Sequence, residues 1–256
     1  MDYSQLFRLD GRKAVVVGAG SGIGRCAALA LAAHGADVVC ADLNLMQAQD
    51  TANQGDGLTA CALDVLDNSA VERFAETHQD AAILVHTPAM NIRKTLGKYS
   101  LDEFDKVITL NLRATFQMLQ AFGRTMTARR SGSIITISSI RAATIEPGQG
   151  VYAATKSGLE SIVRTAAAEF GSANVRVNAI RPGVVETPLT QQLKSNQDWY
   201  AAYANKTALG RWAKAEELAG AVVFLASDAA SYVTGSTLTV DGGWTAIDGR
   251  FTPPLS

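Results

Sequence analysis

The run Lys13-Ala-Val-Val-Val-Gly-Ala-Gly-Ser-Gly-Ile-Gly24 joins a short apolar stretch to a glycine cluster and then to a segment of helical period. Gly18, Gly22 and Gly24 are spaced G-x-x-x-G-x-G, with Ser21 and Ile23 between them. Without Cβ atoms, glycines permit a tight turn and let backbone N–H groups approach a pyrophosphate at the positive end of the following helix. A glycine cluster alone also fits an ordinary turn. Its position between a strand and a helix, close to the first residue, favours the dinucleotide.

Working outward, apolar runs recur at Asp37–Leu43, Leu58–Asp64, Ala81–His86, Ser133–Ser138, Val175–Ile180 and Thr237–Val240, besides Lys13–Gly18. They are continuous, not alternating, which implies cover on both faces, as in a parallel sheet. Between them, Gly22–His34, Asn44–Gln54, Ser69–Gln79, Leu101–Arg130, Val151–Gly171 and Ala215–Ala226 have helical period. Capping boxes are expected at Ser69 with Glu72 and at Ser100 with Glu103. Repeated βα units with short joints predict an α/β protein. The expectation is a single doubly wound (Rossmann-type) domain over residues 1–256, with a mostly parallel seven-stranded sheet and helices on both faces. The polar and aromatic segment Thr187–Arg211 breaks the rhythm and is expected to cap the carboxyl edge of the sheet.

Composition narrows the function classes. Of 256 residues, 47% are hydrophobic and 18% charged, enough apolar material for a large core. The formal charge of −1 offers no basic field for nucleic acid or an anionic membrane surface. Cys26, Cys40 and Cys61 have neither C-x-x-C spacing nor a nearby His pair, so reduced thiols in a cytoplasmic protein are expected and no metal site. The amino-terminal MDYSQLFRLDGRK lacks a signal-peptide core, and no window approaches the roughly 18 apolar residues of a membrane span.

Asp42 stands at the end of the second strand, about 20 residues past the glycine turn, where a carboxylate accepts both ribose hydroxyls and repels a 2′-phosphate. Leu43 and Ser21 supply no cation nearby, so NAD is expected over NADP. Tyr152 and Lys156, at i and i+4, share one helix face. A free phenol titrates near 10, and lowering that by three units takes about 4 kcal/mol, within reach of a lysine and a nicotinamide cation in a partly dry site. Any single Y-x-x-x-K is also compatible with a core aromatic beside a solvated lysine. The pair Ser138-Ser139, at a strand's carboxyl edge, adds a hydroxyl that can bind a substrate oxygen.

These features occur in the order found in the short-chain dehydrogenase/reductase family, which the chain resembles from Gly11 to Gly243. The resemblance implies that Tyr152 is the acid/base and that Lys156 binds the nicotinamide ribose and depresses the tyrosine's pKa. It makes Ser139, rather than Ser138, the residue that orients the reacting oxygen. Asn111 would hold a water linking Lys156 to solvent, Asp64 and Val65 would meet the adenine, and Ala89 would let the ribose pass. In the Pro-Gly segment at 182–187, Val185 and Thr187 would contact the carboxamide. The stretch from Tyr232 to Gly243 resembles a closing strand used in tetramer interfaces, so a homotetramer is expected.

Two departures stand out. Val17 replaces a usual Thr, and Leu84-Val-His-Thr-Pro-Ala89 replaces the N-N-A-G pattern, so amides that tie strands together are lost and Pro88 donates no backbone hydrogen bond. Altered rigidity of the cofactor site is expected. His86 is read as a hydrogen-bonded residue at the sheet's end rather than a second base.

The substrate pocket is expected to be walled by Arg93, Arg141, Glu146, Gln149, Trp199, Tyr200 and Tyr203. Arg141 either pairs a substrate carboxylate or forms an ion pair with Glu146, and the two readings weigh equally. Oxidation of a polyol, sugar or hydroxy acid with NAD leads. A 3-oxoacyl thioester reductase and a non-catalytic dinucleotide sensor are the alternatives. The tail Arg250–Ser256, with two prolines, is read as reaching a neighbouring subunit.

Overall fold

Alternate residues of the apolar runs pack on opposite faces of one sheet in the computed structural model, which describes residues 2–248. In chain order the elements begin with β1 (Lys13–Val17), α1 (Gly22–Ala33), β2 (Asp37–Asp42), α2 (Leu45–Ala52), β3 (Leu58–Ala62), α3 (Asn68–Thr77) and β4 (Ile83–His86). They continue with α4 (Leu101–Ile108), a π-helical turn (Thr109–Arg113), α5 (Ala114–Arg129), β5 (Gly132–Ile137), α6 (Gly150–Phe170) and β6 (Val175–Pro182). After the short β7 (Val185–Glu186) come α7 (Gln191–Lys194), α8 (Gln197–Lys206), β8 (Ala213–Lys214), α9 (Ala219–Ala226) and β9 (Thr237–Val240).

The strand order is β3-β2-β1-β4-β5-β6-β9, and every pairing is parallel. Val15, Val17, Leu84, Ile134 and Val177 face α3, α5 and α6. Their neighbours Val16, Val85 and Ile135 face α1 and α9. This two-sided burial is what continuous apolar strands require. A fully buried Leu or Phe contributes about 1.5–3 kcal/mol, and Leu31, Leu84, Phe122 and Ile134 are wholly enclosed. On α5, Gly123 lets the ring of Phe170 close against the helix, since a Cβ there would lie 2.5 Å from the ring.

Three local expectations need correction. The cap of α3 is Asp67, whose carboxylate accepts from the backbone N–H groups of Ser69 and Ala70, so Ser69 lies inside the first turn. The box at Ser100 and Glu103 is present in full. The helix expected over 101–130 is interrupted by the π turn, which carries the buried Asn111.

The third concerns the joint between β1 and β4. Thr87 donates its hydroxyl to the carbonyl of Val17 at 2.8 Å, beside a backbone bond to the same oxygen. The hydroxyl that Val17 lacks is therefore supplied from the facing strand, and the base of the glycine turn is tied after all. The tail Arg250–Ser256 lies outside the described residues.

Candidate active site

The strand order reverses between β1 and β4, and at their carboxyl ends a cleft of about 510 Å³ opens. One end is formed by Gly18, Ser21, Gly22, Ile23 and Gly24, with Asp42, Asp64 and Val65 alongside. Gly18 and Gly22 hold φ of +81° and +53°, in the left-handed region that favours glycine. At Gly24 a Cβ would sit 2.0 Å from the Gly18 carbonyl oxygen, so α1 can approach the turn only without one. At Gly22 a Cβ would crowd Thr187 across the cleft at 3.3 Å. This narrow cradle, opening on the first turn of α1, suits a pyrophosphate. The residues fit a nicotinamide dinucleotide laid from β2 toward α6.

Asp42 holds its carboxylate in place with two backbone bonds, from Gly20 at 2.8 Å and Asn44 at 2.9 Å. The nearest guanidinium on α1, Arg25, is committed to the Gly20 carbonyl and to Thr51. Among the described residues lining this end of the cleft there is no lysine or arginine to receive a 2′-phosphate.

At the other end Ala89, Ser139, Arg141, Tyr152, Lys156, Val185 and Thr187 share the same cleft. The Ser139 hydroxyl lies close enough to the Tyr152 phenol to favour its ionised form. Ser138 turns away, donating to Glu160 at 2.7 Å, while Glu160 also holds Arg181. Burial pushes the phenol of Tyr152 above its ordinary value, while Ser139 and then the guanidinium groups of Arg93 and Arg141 draw it back down. Lys156 is buried, and burial lowers its pKa to about 8. Its ammonium donates to the Ile137 carbonyl at 2.7 Å and lies 5.7 Å from the Tyr152 ring centre. The positive charges of both arginines act on the phenol, and the Lys156 ammonium lies on the same side of the cleft, close to its ring.

Asn111 does not line the cleft. Its amide accepts from the Met90 N–H at 2.8 Å and donates to the Met90 carbonyl and to Thr155. The π turn thus clamps the segment leaving β4. His86 also departs from expectation. It is only 2% exposed, and neither ring nitrogen has a hydrogen-bond partner among the described residues. Burial, assisted by the charge of Lys156, lowers its pKa to about 3, so the ring is neutral and cannot act as a base near pH 7.

Of the expected wall residues, Arg93, Arg141, Gln149 and Tyr203 line the cleft. Tyr200 instead stacks on Trp212, their rings 4.9 Å apart, and donates to Glu186. Tyr203, Trp212 and Trp244 form the apolar heart of the cap with Ile140, Val184 and Leu193. Arg141 forms an ion pair with Glu146 while still lining the cleft. Sequence reasoning missed Asn91 and Leu193, which also line the cleft. Asn91 carried only the signal of following Ala89 by two residues. All three cysteines are free thiols. No helix among the described residues is long and apolar enough to cross a membrane.

A cleft with a phosphate cradle at one end and proton-bearing hydroxyls at the other defines a dinucleotide-dependent oxidoreductase. Comparison with known proteins agrees. The family model described as enoyl-(acyl carrier protein) reductase matches residues 18–245. Gluconate 5-dehydrogenase of Gluconobacter oxydans is 35% identical over 96% of this chain and 99% of its own. A 3-oxoacyl-[acyl-carrier-protein] reductase of Thermotoga maritima is 34% identical over 92% and 98%. The crystal structure of a gluconate 5-dehydrogenase from Burkholderia cenocepacia, in complex with NADP and tartrate, superposes with a TM-score of 0.91 at 33% identity, covering 95% of this chain and 98% of that one. The chain belongs to the short-chain dehydrogenase/reductase family and is an NAD(P)-dependent oxidoreductase acting on CH–OH groups.

Proposed function

We propose that this protein interconverts a small, polar secondary alcohol and its ketone with NAD as the preferred cofactor. The observation that carries the reading is the Ser139–Tyr152 hydroxyl pair at the inner end of a cleft whose outer end presents Asp42. When bound, the nicotinamide accepts or donates the hydride. Ser139 holds the substrate oxygen, and Tyr152 removes its proton on oxidation or returns it on reduction. Lys156, anchored on Ile137, holds the nicotinamide ribose and adds positive charge beside the phenol. Val185 and Thr187 border the carboxamide, Asp64 and Val65 the adenine, and Ala89 leaves room for the ribose.

Asn111 acts at one remove, fixing the exit of β4 through Met90. Its amide is engaged there and at Thr155, not toward Lys156. The edge position of β9 supports assembly as a homotetramer, and three free thiols suit the cytoplasm. The tartrate of the Burkholderia relative and the substrate named for the Gluconobacter enzyme favour a hydroxylated acid or polyol. The Thermotoga relative favours the thioester reductase, which Asp42 opposes. An intact Ser139–Tyr152 pair speaks against a non-catalytic sensor.

A panel of alditols, aldoses, hydroxy acids and a 3-oxoacyl thioester, followed by absorbance of the reduced cofactor, tests this. Oxidation of a polar alcohol with kcat/KM about 10-fold or more higher for NAD than for NADP is expected, because a fixed carboxylate opposes a phosphate. Faster turnover of the thioester with NADPH would select the alternative.

A further inference from the structure

We infer that the substrate carries a carboxylate and that Arg93 is the residue that takes it, so that hydroxy acids are preferred to neutral polyols. This rests on the dehydrogenase reading above and deepens it.

The charges of the inner cleft separate into one neutralised cation and one free one. Arg141 is only 6% exposed, ion-paired with Glu146 and set against the rings of Tyr203 and Trp244, 5.7 and 5.4 Å from their centres. Glu146 also accepts from the Tyr203 hydroxyl and from the Gln149 amide. An incoming carboxylate at Arg141 would displace a partly buried anion already holding three groups.

Arg93 is different. It lines the cleft, and no Asp or Glu is within ion-pair distance of it among the described residues. Its guanidinium lies 5.5 Å from the centre of the Trp199 ring. Its N–H groups have no hydrogen-bond partner among the described residues, which leaves them for a planar anion, and a carboxylate matches them in bidentate fashion. The charge of Arg93 also favours the phenolate of Tyr152, which lines the same cleft.

The neighbouring amides suggest what else the acid carries. Gln149 must turn its NH₂ toward the Glu146 carboxylate, so its oxygen faces Asn91 and accepts at 2.8 Å. Asn91 therefore presents its amide nitrogen to Gln149 and keeps its buried Oδ1 without a partner. An unfilled acceptor two residues from the free guanidinium suits a substrate hydroxyl. Carboxylate on Arg93 and hydroxyl on Asn91 describe a polyhydroxy acid.

The test compares a matched pair, an aldonate and the alditol of the same configuration, which differ at one terminal carbon. Wild type is expected to favour the aldonate. Arg93→Gln is expected to lower the aldonate/alditol ratio of kcat/KM by about 10- to 100-fold, the range for a lost hydrogen bond to a charged group, mainly through KM. Arg93→Lys should recover part of it. Any effect of Arg93 on the acidity of Tyr152 acts on both substrates and cancels in the ratio. Calorimetric titration of each ligand into the protein–NADH complex gives the same comparison without turnover, and melting temperatures identify a variant that has not folded. A ratio unmoved by Arg93→Gln in both measurements, or a wild type that prefers the alditol, overturns the inference and leaves the dehydrogenase reading standing. If neither ligand binds or reacts while a thioester does, the dehydrogenase reading itself fails.

Discussion

Replacing Tyr152 by phenylalanine is expected to lower kcat by about 10²–10⁴-fold, the contribution of a positioned acid/base, while NAD still binds. The substitution removes one oxygen from a buried side chain and keeps the ring that packs in α6. Ser139 remains, so the reacting oxygen keeps one of its two partners. With no phenol to accept it, the alcohol proton must leave to water from an enclosed site, and hydride transfer stalls behind it. Steady-state kinetics with a substrate found in the panel, together with cofactor titration, check this. Loss of binding and turnover together would point to misfolding, and full turnover would remove Tyr152 from the chemistry.

The second large effect runs in two directions. Lys156→Met is expected to cost about 10²-fold or more in turnover, as for a lost charged donor at an active site, yet to raise stability at neutral pH. The unfolded lysine holds its proton to about pH 10.5, while the buried one holds it only to about 8. Between these values the unfolded chain binds more protons, so wild-type stability rises with pH across that window. Below pH 8 the cost of burying the ammonium is fully present. At pH 7 the substitution relieves a cost on the order of 3 kcal/mol, partly offset by about 1–3 kcal/mol for the lost charge-assisted bond to Ile137. Thermal melts should place the variant above wild type at pH 7, with the gap narrowing toward pH 10. A variant less stable at pH 7 than at pH 10, relative to wild type, would contradict the assignment.

Much of this molecule could be read from short-range pattern. The glycine run after β1, the continuous apolar strands and the Y-x-x-x-K face each depend on neighbours within a few residues, and all three stand where the pattern implied. What escaped the sequence depends on partners far along the chain. The π turn at Asn111 contains no glycine or proline, and its side chain reaches Met90, 21 residues earlier. The hydroxyl missing at Val17 returns from Thr87, 70 residues later. Ser69 lost the cap of α3 because Asp67, two residues before it, offers a charged acceptor to the N–H groups of Ser69 and Ala70 and starts the helix earlier. Pattern likewise could not show which of Arg93 and Arg141 is reached by Glu146.

The electrostatic role of the site depends on Tyr152 losing its proton more readily once the cofactor's positive ring lies beside Lys156 and the two arginines. Spectrophotometric titration of tyrosinate, with and without NAD⁺, measures this without any knowledge of the substrate. Tyr99, Tyr200 and Tyr203 are held above the ordinary value of 10, as is Tyr152 in the free protein, and the comparison with Tyr152→Phe separates its step from those of the other tyrosines. The prediction is that NAD⁺ brings one tyrosine per chain to ionise below pH 10, and that this step vanishes in Tyr152→Phe. Identical titrations with and without NAD⁺ at saturating cofactor, or an early step that survives in Tyr152→Phe, would contradict it.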